Sequence, residues 1–197
     1  MLKKEIIWRE ILEDFFQNKK RNFQQIKLAK KLGFSLSTIF NALKVPRESR
    51  AIKVTGKNFI LENPEKLLYI WATFRNLKRD IIYETFVGES VQKIEALLPP
   101  EAILGGYSAY LRIFNEAPAD YDKVYVYCLE KDLPAFKKRF PYSRRSPNLI
   151  IIRADKFLDK YGRITPISQT FVDIWNFPEW YAHDFYKGFC EKLQELI

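Results

Sequence analysis

The stretch KKLGFSLSTIFNALK, residues 30–44, decides how the first third of the chain is read. Just before and into it, Phe23, Ile26, Ala29 and Leu32 recur every third residue, which predicts a helix over residues 23–32 with those side chains inward. Gly33 tolerates a left-handed backbone and stops that helix. Ser35 or Ser37 then offers a cap for a second helix, whose Leu36, Ile39, Phe40 and Leu43 fall at i, i+3, i+4 and i+7 and predict one apolar, inward face. Pro46 ends it.

Working outward, Ile7, Trp8, Ile11, Leu12, Phe15 and Phe16 predict an amphipathic helix over residues 5–18 that needs a partner for its apolar face. Downstream, the period changes to alternation in AIKVTGKNFIL, residues 51–61, with Gly56 and Lys57 at the centre, which predicts two short strands around a turn. Asn63 as a cap and Pro64 at the first helical position restart a helix.

Charge follows the same boundary. Of 33 Lys and Arg against 24 Asp and Glu in 197 residues, the first sixty residues carry 14 bases and 5 acids, and the remainder carries 19 of each. The whole net charge of +9 therefore sits in the first third, which predicts a module that meets a polyanion joined to one that does not. We expect domains at residues 1–77 and 78–197, with the break near Lys78, where the basic excess has ended. No apolar run is long enough for a membrane span, and no charged start is followed by an apolar stretch, so a cytoplasmic protein without membrane contact is expected. Cys128, Cys190 and the lone His183 lack metal-ligand or disulfide spacing. No cofactor is expected.

A helix-turn-helix needs a small residue where two helices approach, a turn of unusual backbone and an apolar residue to close the pair; Ala29, Gly33 and Ile39 stand in those places. With Leu36, Ile39, Phe40 and Leu43 inward, Ser37, Thr38, Asn41 and Ala42 face outward. Asn41 suits an adenine edge, while Ser35, Ser37, Thr38 and Lys44 suit phosphates or base edges. Lys53, Lys57 and Asn58 on the hairpin, with Arg47 and Arg50 before it, suit the phosphate backbone. From FQQIKLAKKLGFSLSTIFNALK through KVTGKNFIL, the chain resembles the winged helix-turn-helix domains of archaeal and bacterial transcription regulators. The resemblance implies double-stranded DNA as a partner, and a homodimer places two reading helices one DNA turn apart.

The second half alternates strands and helices, an α/β pattern. Strands are expected at DIIYETFV, AIL, KVYVYCL and NLIIIRA, and helices over residues 89–98, 106–114 and 133–140. One or two packed helices, broken near Pro178, are expected over residues 168–197. Gly105 and Gly106 after an apolar strand, followed by Asp120 and Asp122, resemble the nucleotidyltransferase superfamily, in which such glycines approach phosphate and the carboxylates hold divalent cations. In that alternative the chain is a Mg²⁺-dependent nucleotidyltransferase with the winged helix as an anchor, and Asp155 is the one plausible third ligand. The layout of both halves, with PISQTFVDIW leading into the last helices, also resembles the antitoxins of type IV abortive-infection toxin–antitoxin pairs, which implies a protein partner. No residue signature transfers that role. Trp175, Phe177, Trp180, Tyr181, Phe185, Tyr186 and Phe189 are expected in a core or dimer interface, both cysteines buried, and His183 at the surface. The expected fold class is α+β or α/β, and the expected function is a sequence-specific, dimeric DNA-binding repressor rather than an enzyme.

Overall fold

A computed structural model describes residues 1–197 and shows a mixed α and β chain with eleven α-helices and two small sheets. It divides into two compact units, residues 1–75 with 191–197 and residues 76–190. The division falls two residues before the expected break, and the last seven residues group with the first unit, which local patterning gives no means to foresee.

The first unit runs α1 (Lys3–Asn18), β1 (Asn22–Gln24), α2 (Gln25–Leu32), α3 (Leu36–Ala42), α4 (Lys44–Glu48), β2 (Ile52–Thr55), β3 (Asn58–Leu61) and α5 (Pro64–Phe74). Helix α1 packs on α3 and α5, burying Ile7, Trp8, Ile11 and Leu12, and the Trp8 indole N–H donates to the Ala42 carbonyl at 2.8 Å. That bond fixes the end of α3. Asn63 caps α5 by accepting from the Lys66 amide at 2.7 Å, as its place before Pro64 predicts. Residues 22–24, of which Phe23 and Gln24 are expected as helix, instead form β1, antiparallel to β3, so the sheet has the order β1-β3-β2. The physical reason is the stack of Phe23 on Phe59, 5.2 Å apart and nearly parallel, a long-range contact that overrides local periodicity.

The second unit contains α6 (Leu77–Asp80), β4 (Ile81–Thr85), α7 (Val91–Leu97), β5 (Ile103–Gly105), α8 (Gly106–Phe114), β6 (Val124–Cys128), α9 (Leu133–Arg139), β7 (Leu149–Arg153) and α10 (Ile167–Trp175). Helix α11 (Ala182–Leu196) follows a break at Pro178. All four expected strands form, in the order β4-β7-β6-β5, with β6 parallel to β7 and the other pairs antiparallel. Strand β6 is buried throughout, so its side chains supply two cores. Val124, Val126 and Cys128 pack with Ile94 of α7 and Phe136 of α9, while Tyr125 joins an aromatic core with Tyr107 and Phe177 and Tyr127 lies against Gly105. No helix is long and apolar enough to cross a membrane.

Of the C-terminal aromatics, expected in a core or dimer interface, Phe177, Tyr181, Phe185 and Phe189 are core, and Trp175 and Trp180 are exposed. Trp180 lies in the stretch between α10 and α11, so helical spacing does not assign its ring to a buried face. Cys128 is buried and burial, assisted by the Asp132 charge, pushes its thiol up to about 12. Cys190 is only half-buried, contrary to expectation. His183 is exposed on α11.

Candidate nucleic-acid interface

The turn between α2 and α3 forms as its residues require. Gly33 adopts φ +62° and closes α2, with its own amide donating to Lys30 and that of Phe34 to Ala29. Ala29 and Ile39 are buried on the two sides. Ser35 is the α3 cap: its hydroxyl accepts from the Thr38 amide at 3.2 Å and lies 2.9 Å from the hydroxyls of both Ser37 and Thr38. Ser35 and half-buried Thr38 thus order the helix start.

The structure reassigns the face of α3. Ile39, Ala42 and Leu43 are buried, but Leu36 is 51% and Phe40 50% exposed, and Ile26 of α2 is 62% exposed. All three were expected inward and Ala42 outward. The helix has only two turns, and α1 and α2 cover it from the Ile39 side, so the edge through Leu36 and Phe40 stays open. Ser37, Asn41 and Lys44 are exposed beside that edge, and the Arg47 guanidinium lies 5.5 Å from the centre of the Phe40 ring.

The hairpin β2–β3 turns through Gly56 and Lys57, between the paired Thr55 and Asn58, with Gly56 at φ +64°. Its tip is held against α2: the Gln25 amide donates to the Lys57 carbonyl at 3.2 Å. Lys53, Lys57 and Asn58 are exposed along it. Arg50 sits at φ +61°, where the Ala51 amide returns to the Pro46 carbonyl at 2.8 Å and closes α4. That backbone suits glycine; here it sets an exposed guanidinium between α4 and the hairpin.

Electrostatics reinforce the picture. From Phe15 to Leu61 there are eleven Lys and Arg and one acid, Glu48. The carboxylates at the edge of this region are engaged: Asp14 pairs with Lys20 at 2.8 Å and with Lys31, which also pairs with Glu10. Burial opposes the charge on Lys31, but the hydrogen bond and charge of Glu10, with those of Asp14, outweigh it and raise its pKa. Lys20 and Lys31 are therefore structural cations, whereas Asn41, Lys44, Arg47, Arg50, Lys53 and Lys57 are exposed outside this ion-pair cluster.

The glycine and aspartate set of the second unit is differently arranged. Gly106 has φ +53°, and a Cβ there would lie 2.3 Å from the Phe177 ring, so the space beside the glycine is filled by an aromatic side chain. A Cβ on Gly105 would lie 3.0 Å from Tyr127. Asp120 and Asp122 are exposed in the loop before β6, and Asp122 accepts the Tyr181 hydroxyl at 2.6 Å. Asp155 caps its own turn through the Phe157 amide at 3.0 Å. No group of three or more His, Cys, Asp or Glu side chains is placed to hold a metal ion.

What the sequence did not reveal is a tyrosine–carboxylate network beside this loop. Glu179 accepts the Tyr107 hydroxyl at 2.9 Å and the Tyr125 hydroxyl at 2.8 Å, and Asp173, fully buried, accepts the Tyr127 hydroxyl at 2.6 Å. Burial first, and then the neighbouring carboxylates, push Tyr107, Tyr125 and Tyr181 far above the ordinary phenol value; burial lifts Tyr121 to about 12. In an unfolded chain these phenols ionise near pH 10, while in the fold they keep their protons. The unfolded state then holds fewer protons, so these groups leave stability untouched below pH 10 and lower it as pH rises beyond. In a spectrophotometric tyrosine titration, we expect at least three of the eleven tyrosines to ionise only together with cooperative unfolding. Smooth ionisation of all eleven in a folded chain would contradict this network.

No protein-family model matches this chain, and neither a curated protein nor a solved structure shows significant similarity to it.

Proposed function

We propose that the chain is a double-stranded-DNA-binding transcriptional regulator. Its first unit acts as a winged helix-turn-helix, α3 entering the major groove and the β2–β3 hairpin lying along the adjacent backbone. The observation that carries this reading is the set of exposed hydrogen-bonding and cationic side chains on α3, α4 and the hairpin, in a stretch with eleven bases and one acid. A phosphate backbone is the partner that such a face neutralises, and Asn41 on the open side of α3 has the amide geometry that pairs with adenine. The chain acts as a homodimer, because one small module supplies little specific affinity and two reading helices one DNA turn apart supply more. The second unit serves partner or ligand contact. Phe177 beside Gly106 and the Tyr181–Asp122 bond favour that role over nucleotidyl transfer, since both occupy the groups that the enzyme reading would use.

The test is binding of the full chain to duplex DNA from upstream of its own coding sequence, followed by fluorescence anisotropy across a salt series. Affinity is expected to fall linearly on logarithmic axes, with a slope of about −0.9 per phosphate contacted. Lys57→Ala should weaken all duplexes alike and reduce that slope by about 1. Asn41→Ala should instead cost about 1–3 kcal/mol on the preferred site and little elsewhere. Salt-insensitive binding, or indifference to both substitutions, overturns the proposal.

A further inference from the structure

The exposed edge of α3 carries an apolar stripe that an electrostatic contact with phosphate does not explain. Leu36 and Phe40, one helical turn apart, stand half-exposed, and with Ile26 of α2 and Val54 of β2 they line an open groove of about 670 Å³ between α3 and the hairpin. Gly56 and Lys57 form its far side. Exposed large apolar side chains grouped in one place mark a binding surface. Around the helix, at about 100° per residue, Leu36 and Phe40 occupy one edge of the open face and Ser37 and Asn41 the adjacent edge. One helix face therefore offers an apolar strip directly beside hydrogen-bonding groups.

We infer that this stripe reads thymine 5-methyl groups, so that the preferred DNA site is rich in A·T pairs, with Phe40 and Leu36 on the methyls and Asn41 on a neighbouring adenine. The inference rests on the DNA reading above and gives it a sequence preference. Charge selects the occupant. Arg47 stands against the Phe40 ring and Lys57 lines the groove, within a stretch that holds one acid, so the partner must present apolar groups between anionic ones. The major groove of A·T-rich DNA does this: the thymine methyl is the one apolar group that base edges display there, and phosphates flank it on both sides. The polar edge completes the match, because each A·T pair sets the adenine N6 and N7 beside its partner's methyl.

The experiment takes duplexes enriched by the full-length chain from a random-sequence pool and replaces each thymine in turn by deoxyuridine, which removes the methyl and leaves the pairing. Affinity is expected to fall about fourfold for each contacted methyl, the transfer value of one methylene-sized group. Leu36→Ala and Phe40→Ala remove half-exposed side chains and leave the buried Ile39, Ala42 and Leu43 in place, so the unit should keep its circular dichroism spectrum. Each variant should lose the response to deoxyuridine at the methyl its own side chain contacts, and the double variant at every position, while retaining the steep salt dependence. Salt-sensitive binding that ignores every methyl overturns this inference and leaves the DNA reading standing. Absence of any salt-sensitive duplex binding overturns both. If Phe40→Ala instead abolishes self-association in the ultracentrifuge while methyl sensitivity persists, the stripe is a protein contact and the inference falls.

Discussion

Arg75→Ala is expected to destabilise the chain by about 3–5 kcal/mol, the cost of removing one member of a buried ion pair. The Arg75 guanidinium lies 3.6 Å from the Glu5 carboxylate, and both side chains are completely buried. Glu5 also accepts from the Leu2 amide at 2.6 Å, so the same carboxylate anchors the start of α1. Since whole domains are stable by about 5–15 kcal/mol, a loss of this size takes much of the total. Denaturant unfolding, with amide hydrogen exchange along α1 and α5 to localise the loss, measures it. A double replacement, Glu5→Gln with Arg75→Met, should recover most of the stability, because a neutral pair of similar size no longer carries a desolvated charge. A loss under about 1 kcal/mol for Arg75→Ala would show that water reaches the pair and that the burial is not maintained in solution.

Gly106→Ala is the second large effect, expected at about 2–5 kcal/mol from two causes that a control separates. A left-handed backbone costs a residue with a Cβ about 1–2 kcal/mol, and overpacking a close-fitted core costs about 1–3 kcal/mol. At Gly106 both apply, with φ +53° and a Cβ position 2.3 Å from the Phe177 ring. At Gly33, with φ +62°, nothing lies within 4 Å, so Gly33→Ala should show the backbone cost alone. The difference between the two, read by denaturant unfolding, is the steric share. It should shrink when Phe177 is shortened to Leu, and a Gly106→Ala chain no less stable than Gly33→Ala would refute the packing of Phe177 against this turn. An open phosphate cradle at Gly105 and Gly106 would tolerate the methyl; the ring there does not.

Much of the architecture was legible because the signals that set it are local. Helix α8 begins and ends where its pattern predicts, at Gly106 and Phe114, and all four strands of the second unit were marked by β-branched and aromatic runs between turn residues. The turn at Gly33, the cap at Asn63 and the hairpin at Gly56 were equally plain, each depending on one residue type with a special backbone or side-chain role. Strand β1 was not. Its three residues form a strand only because Phe59, thirty-six positions later, offers Phe23 a ring to stack on.

The candidate interface divides along the same line. Its polar and cationic members were named from spacing and charge, and Ser37, Asn41, Lys44, Arg47, Arg50, Lys53, Lys57 and Asn58 are all exposed. Its apolar members were placed inside, because a helical wheel reports which side chains share a face but not how far the neighbours extend across it. The sequence by itself determined a basic, turn-punctuated first third, an α/β remainder and the cations that face solvent. Only the tertiary structure decided that Ile39 is core while Leu36 and Phe40 are surface, and that Phe177 fills the space beside Gly106. The physical reason is that burial depends on which elements pack against a face, and that packing is a property of distant segments brought together.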